Sequence, residues 1–130
     1  MKDRVFEVCD VVRETGFAMH KYFGPGHLEK VYENSYTNRL RKIGLDVKQQ
    51  YPIKVHDEDG SIVGEYLADL FIENILIVEL KAVRSTNDEH IAQVLGYLRA
   101  TEIEHGLLIN FGAKKFQIKK YAMSWGRQAE

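Results

Sequence analysis

Apolar positions recur at helical spacing through Val5, Val8, Cys9, Val12, Met19 and Phe23. They predict a first helix from about Asp3 to Phe23, which Gly16 interrupts only mildly. Gly24-Pro25-Gly26 then breaks the chain. A second stripe, Leu28, Tyr32, Tyr36, Leu40 and Ile43 with Val31 beside it, predicts a helix from about His27 to Ile43 that stops at Gly44. From Leu45 to His56 the pattern is extended, with Pro52 marking an edge or a bulge, and Asp57-Glu58-Asp59-Gly60 reads as a hairpin loop. A long extended stretch from Ile62 to Ile72 comes next, then Glu73-Asn74, then the apolar run Ile75-Leu76-Ile77-Val78 leading into Glu79-Leu80-Lys81. Ser85-Thr86-Asn87 supplies capping residues for a helix from about Asp88 to Thr101, with Ile91, Val94, Leu95 and Leu98 as its stripe. Leu107-Leu108-Ile109 reads as a buried strand, and Phe116 to Tyr121 alternates as a last one. The order α-α-β-β-β-β-α-β-β contains no repeat or linker. It predicts one domain over 1–130 of the α/β (α+β) class, a mixed central sheet flanked by helices.

Composition narrows the picture only a little. With 130 residues, 45% apolar and 28% charged, the chain is an ordinary globular one with enough length for a real core. No stretch approaches a membrane span, Met1-Lys2-Asp3-Arg4 lacks the apolar core of a signal peptide, and the lone Cys9 sits on an apolar helix face. A cytoplasmic protein is expected. The net charge of −1 excludes a general basic excess. Positive surface must come from clusters such as Arg39, Arg41 and Lys42, or Lys114, Lys115, Lys119 and Lys120, which in the commoner case are simply solvated faces.

Candidate chemistry enters at the end of the buried strand. Glu79 and Lys81 are two residues apart, so they project from the same face of it. Charges there cost several kcal/mol per ion, in rough terms, unless they are paired or bind a metal. Asp69 also lies inside an apolar run, Tyr66-Leu67-Ala68-Asp69-Leu70-Phe71-Ile72. The bland alternative is a buried ion pair that fixes strand register. The functional one is a carboxylate set with a lysine: Asp69, Glu79 and the backbone carbonyl of Leu80 are hard oxygen ligands that favour Mg²⁺ or Mn²⁺. A lysine beside them can orient a water or stabilise charge on a phosphorus-centred transition state, which is the equipment of phosphodiester hydrolysis. Glu29, at the border of the second helix's stripe, could reach the same place or merely complement the helix dipole. Gln93 and Tyr97 share a face of the third helix, off its main stripe.

Other sites fail on their residues. Gly24-Pro25-Gly26 has no Gly-Lys-Ser/Thr after it, and a calcium loop aligned on Gly60 would place Val55 and Tyr66 where ligands are needed. The five histidines lack zinc spacing, and no nucleophile elbow surrounds any serine.

Gly26-His27-Leu28-Glu29-Lys30-Val31-Tyr32 forms a GxxExxY signature, succeeded in order by Asp69, Glu79-Leu80-Lys81 and Gln93-Val94-Leu95-Gly96-Tyr97. From about Phe6 to Phe111 the chain closely resembles the GxxExxY family, assigned to the PD-(D/E)xK nuclease superfamily. No single motif is specific; the ordered set is. The resemblance implies a restriction-endonuclease-like αβββαβ core and a divalent-metal-dependent nuclease. It makes Glu29 the first-helix acid, Asp69 and Glu79 the metal ligands, and Lys81 the catalytic lysine. Gln93 and Tyr97 match a QxxxY element that positions substrate or the site lysine, with Tyr32 on the substrate side. Ala68 stands where a proline often precedes the aspartate, which leaves the ligand intact.

The joint expectation is a nuclease acting on DNA rather than RNA. Mg²⁺ (or Mn²⁺) would be held by Asp69, Glu79, the Leu80 carbonyl and Glu29, and Gln93 would support the chemistry. The alternative is a catalytically inactive nuclease-fold module that binds nucleic acid or a protein partner. A homodimer paired through the last strand is open. One geometric condition decides the site. A two-residue turn at Glu73-Asn74 would set Asp69 opposite Val78, whereas a three-residue connection or a bulge sets it opposite Glu79, and that odd connection is predicted.

Overall fold

The first helix, α1 (Arg4–Phe23), buries Val5, Val8, Cys9, Val12 and Met19, the stripe that the periodicity marks. The structure, a computed structural model, describes residues 4–124, so Asp3, the expected start of the helix, lies outside the described residues. The second helix, α2 (Glu29–Lys42), packs on α1 through Tyr32, Tyr36 and Leu40. Gly16 allows the close approach, because a Cβ there would strike the Tyr36 hydroxyl and the Phe116 ring. That hydroxyl instead donates to the Val12 carbonyl at 2.9 Å. Gly16→Ala is therefore expected to lower stability by about 1–3 kcal/mol, the usual cost of overpacking. A reduced urea midpoint at unchanged slope would register it, and an unchanged midpoint would mean the two helices part freely.

Among the described residues five strands complete the fold: β1 (Val47–His56), β2 (Ile62–Ile72), β3 (Leu76–Lys81), β4 (His105–Asn110) and β5 (Gln117–Ala122), side by side in that order. All neighbours are antiparallel except β3 and β4, which are parallel. Parallel neighbours need a long crossover, and α3 (Asp88–Thr101) supplies it. Its start is fixed by a capping box, in which the Asn87 side chain accepts from the His90 amide and the His90 ring accepts from the Asn87 amide. Helices cover both faces of β3, and Leu76 to Leu80 are all buried. One core lies between the sheet and α1 with α2; the other, built on Ile53, Ala68, Phe71, Ile77, Tyr97 and Leu98, lies under α3. This is the expected mixed-sheet α+β architecture.

Some expectations are corrected. The expected order has four strands before the third helix, but Leu45 to His56 contributes a single one, so three precede α3. Pro52 sits within β1 opposite Leu67, which an edge strand tolerates because one of its sides needs no N–H donors. The α2 stripe is also narrower than its apolar residues suggest: Leu28 is 80% exposed and Ile43 59%. Among the described residues no helix is long and apolar enough to cross a membrane.

Candidate active site

The ladder between β2 and β3 is short. Ile72 pairs with Leu76, Phe71 with Ile77 and Leu70 with Val78, and there it stops. Glu73 and Asn74 both adopt left-handed backbone (φ 54° and 57°), and the Ile75 amide donates to the Ile72 carbonyl at 3.1 Å. Ile72 nevertheless pairs with Leu76, leaving Ile75 as an extra residue. The connection is thus the odd one, and continuing the register sets Asp69 opposite Glu79. Here the sheet opens and side chains replace the backbone ladder. The Leu80 amide donates to Asp69 Oδ2 at 2.8 Å, and the Asp69 amide approaches Glu79 Oε1 at 3.4 Å. In a strand the C=O of a residue leaves on the same edge as its N–H, so the Leu80 carbonyl faces the same gap. Lys81 Nζ lies 3.6 Å from Glu79 Oε2.

The facing residue on β1 is Gln50, held at φ 50°, an unusual backbone for a residue that is not glycine. Gln49 pairs with Leu70 and Tyr51 with Ala68, so register is kept across it. The alternation of faces is not kept. Lys48 and Tyr51, three residues apart, both pack against Phe71, and Phe71 and Ala68 both enter the core under α3. Losing one alternation frees the Gln50 side chain to donate to Glu33 Oε1 at 2.9 Å and Asp69 Oδ1 at 3.2 Å. Such a conformation costs about 1–3 kcal/mol and persists where its surroundings impose it.

Glu33 is the second participant that the sequence did not disclose. One turn beyond Glu29 on α2, it is only 3% exposed, and it accepts from Gln49, Gln50 and Lys30 at 2.7 to 3.1 Å. Glu29 itself stands at the rim. Its carboxyl is raised by burial and by Asp69, against the opposing pull of Lys81 and the Ala82 amide. The backbone after Lys81 is pinned from β4: Asn110 accepts from the Val83 and Gly112 amides and donates to the Val83 carbonyl. A Cβ on Gly112 would collide with the Ala82 and Val83 backbone.

Two expected roles change. Tyr32 is fully buried and stacks on Phe111 at 4.5 Å, while its hydroxyl donates to the Gly24 carbonyl and accepts from the His27 amide. It is a core residue that secures the Gly24-Pro25-Gly26 turn, not a substrate contact. Gln93 donates to the Tyr97 hydroxyl at 2.7 Å, and that hydroxyl donates to the Leu67 carbonyl at 3.3 Å rather than reaching Lys81. Tyr97 is also buried, although the stripe excluded it. Burial and the nearby Glu79 raise its hydroxyl above the ordinary tyrosine range.

The family model for the PD-(D/E)XK nuclease superfamily matches residues 7–121, nearly the whole chain. The chain belongs to that superfamily. The crystal structure of SSO0001 superposes with a TM-score of 0.59 at 16% identity, over 72% of this chain and 48% of that one. At that identity it shares the fold, and this chain spans about half its length. No curated protein matches.

Nucleases of the PD-(D/E)XK superfamily generally use divalent metals, and the donor chemistry here fits one. Asp69, Glu79 and Glu29 set hard oxygen donors near the partly buried Lys81 ammonium, and Glu33 stands behind Asp69. The Glu79 carboxyl is pushed up to about 8, first by burial and then by Asp69, with Lys81 opposing. Asp69 is raised as well, chiefly by burial, against the Leu80 amide that favours its charged form. A surplus of mutually repelling carboxylates is what a divalent cation relieves. Among the described residues no three His, Cys, Asp or Glu side chains are grouped closely enough to grip an ion as they stand.

Proposed function

We propose that this protein is a metal-dependent nuclease that hydrolyses phosphodiester bonds, in DNA in preference to RNA. One observation carries the reading: the ladder opens at Asp69 and Glu79, setting two destabilised carboxylates beside the Lys81 ammonium in a chain of a nuclease superfamily. In this reading Asp69, Glu79 and the Leu80 carbonyl hold Mg²⁺ or Mn²⁺, with Glu29 assisting from α2. When bound, the cation would supply Lewis acidity toward a phosphoryl oxygen. Lys81 orients the attacking water and offsets negative charge growing on a non-bridging oxygen. Gln50 and Glu33 act as positioning residues that hold the Asp69 carboxylate in the gap. Gln93 acts through Tyr97, keeping its hydroxyl against β2 at the site's edge.

The test is incubation of purified protein with supercoiled, linear and branched DNA, and with RNA, in Mg²⁺ or Mn²⁺. DNA cleavage that EDTA abolishes is expected. Cleavage of RNA alone would reverse the preference, and intact substrates throughout would end the proposal. The rival is an inactive nuclease-fold module, favoured by the carboxylates' not being gathered into a three-ligand set among the described residues. It predicts nucleic-acid binding without cleavage. β5 is an edge strand and so leaves room for a homodimer paired across it, which sedimentation would reveal.

A further inference from the structure

On the face of the sheet under α3, register carries two rows outward from the site: Glu79–Leu108–Lys119 and Lys81–Asn110–Gln117. Beyond Leu108 a groove of about 370 Å³ opens, whose polar lining is Ser85, Thr86, Asn110, Gln117 and Lys119 and whose remaining wall is apolar. Two strand spacings, about 10 Å, separate Glu79 from Lys119.

The groove's polar groups are able to donate. Among the described residues no carboxylate lies within ion-pair distance of the exposed Lys119, and the Ser85 and Thr86 hydroxyls make no hydrogen bond to a described residue. Gln117 has its carbonyl engaged by Asn110 Nδ2 at 2.9 Å, which leaves its amide N–H groups for a ligand. Asn110 in turn is saturated by Val83 and Gly112, so this part of the groove is held firmly. Asp88 and Glu89, though close in sequence, do not line it. Donors around one ammonium, with no acid among them, select an anion.

A site built from carboxylates repels a polyanionic strand and requires a positive anchor beside it. We infer that the Lys119 groove binds a phosphate of the substrate strand flanking the scissile one, so that the strand crosses the sheet from Glu79 toward β5. This inference rests on the nuclease reading for the identity of the strand, but its test does not require cleavage.

Binding of a fluorescein-labelled DNA oligonucleotide, single-stranded and duplex, is measured in EDTA across a salt series for the parent, Lys119→Ala and Lys114→Ala. The last removes an equal charge from the neighbouring turn, outside the groove. Lys119→Ala should weaken binding and reduce the slope of log K against log salt by about 0.7–0.9, the signature of one lost phosphate contact. Lys114→Ala should leave the slope unchanged. In the cleavage assay Lys119→Ala should raise KM and spare kcat. Equal slopes for the parent and Lys119→Ala, equal losses in both variants, or no binding by the parent would each overturn the groove. Cleavage with equal slopes would leave the nuclease reading standing without it. A Lys119-dependent slope in a protein that never cleaves would keep the groove and remove the nuclease.

Discussion

A Lys81→Ala protein is expected to cleave DNA at least about a hundredfold more slowly than the parent while remaining folded. The loss of rate reflects the group removed: a preorganised charge aimed at a phosphoryl group accounts for about 10²–10³ in comparable sites. The fold survives for a reason particular to this site. Deleting one partner of a buried ion pair usually costs about 3–5 kcal/mol, because a bare charge is left behind. Glu79 is already raised by burial and by Asp69, and removing Lys81 raises it further, so the carboxyl keeps its proton and no bare charge is left behind. The loss of stability should therefore be small and the loss of rate large. Asp69→Asn gives the complementary case, since an amide oxygen can still accept from Leu80 while the charge is gone. Single-turnover kinetics beside urea denaturation separate the two effects. Full-rate cleavage by a folded Lys81→Ala protein would falsify the nuclease assignment, whereas reduced stability in a chain that never cleaves would point to the inactive module.

The parts of the site legible in the sequence are those whose position is dictated by strand geometry. The opposition of Asp69 and Glu79 turns on whether the connection after Ile72 is even or odd, and the extra residue Ile75 makes it odd. The span of α3 is legible because Asn87 caps it and a periodic stripe runs its length. Glu33 and Gln50 are not. A glutamate one turn beyond another on a helix ordinarily marks a solvated face, and only the approach of β1 buries it. Gln50 depends on a left-handed backbone that glycine or asparagine would have signalled and glutamine does not. Tyr32 shows the opposite error: its place in a recognisable motif points to substrate, yet its ring is fixed by Phe111 and its hydroxyl by Gly24. Motif position says that a residue matters, and packing says how.

The same carboxylates make stability depend on pH in an unusual direction. With metal removed, the melting temperature should fall between about pH 5 and pH 8. Glu79 has an ordinary value of 4.5 and is pushed up to about 8 in the folded chain. Between those values the folded state binds a proton that the unfolded state has released, so unfolding grows easier as pH rises. Each pH unit crossed within that window costs at most about 1.4 kcal/mol per such group, so the melting temperature should fall by several degrees. Asp69 and Glu29 are displaced the same way and add to it. Glu73, held down by the Asp46 amide and Arg4, acts in the opposite sense and only below its own unfolded value, outside this window. On the proposed metal site, Mn²⁺ would compete with protons for the same oxygens. It should therefore raise the melting temperature strongly at pH 8 and hardly at all at pH 5, by about 2.7 kcal/mol at a hundredfold excess over Kd. Glu79→Gln should flatten the pH profile and abolish most of the Mn²⁺ response together. A melting temperature that rises from pH 5 to pH 8 and ignores Mn²⁺ would mean that these carboxylates are satisfied within the protein, and a satisfied set has no reason to capture a cation.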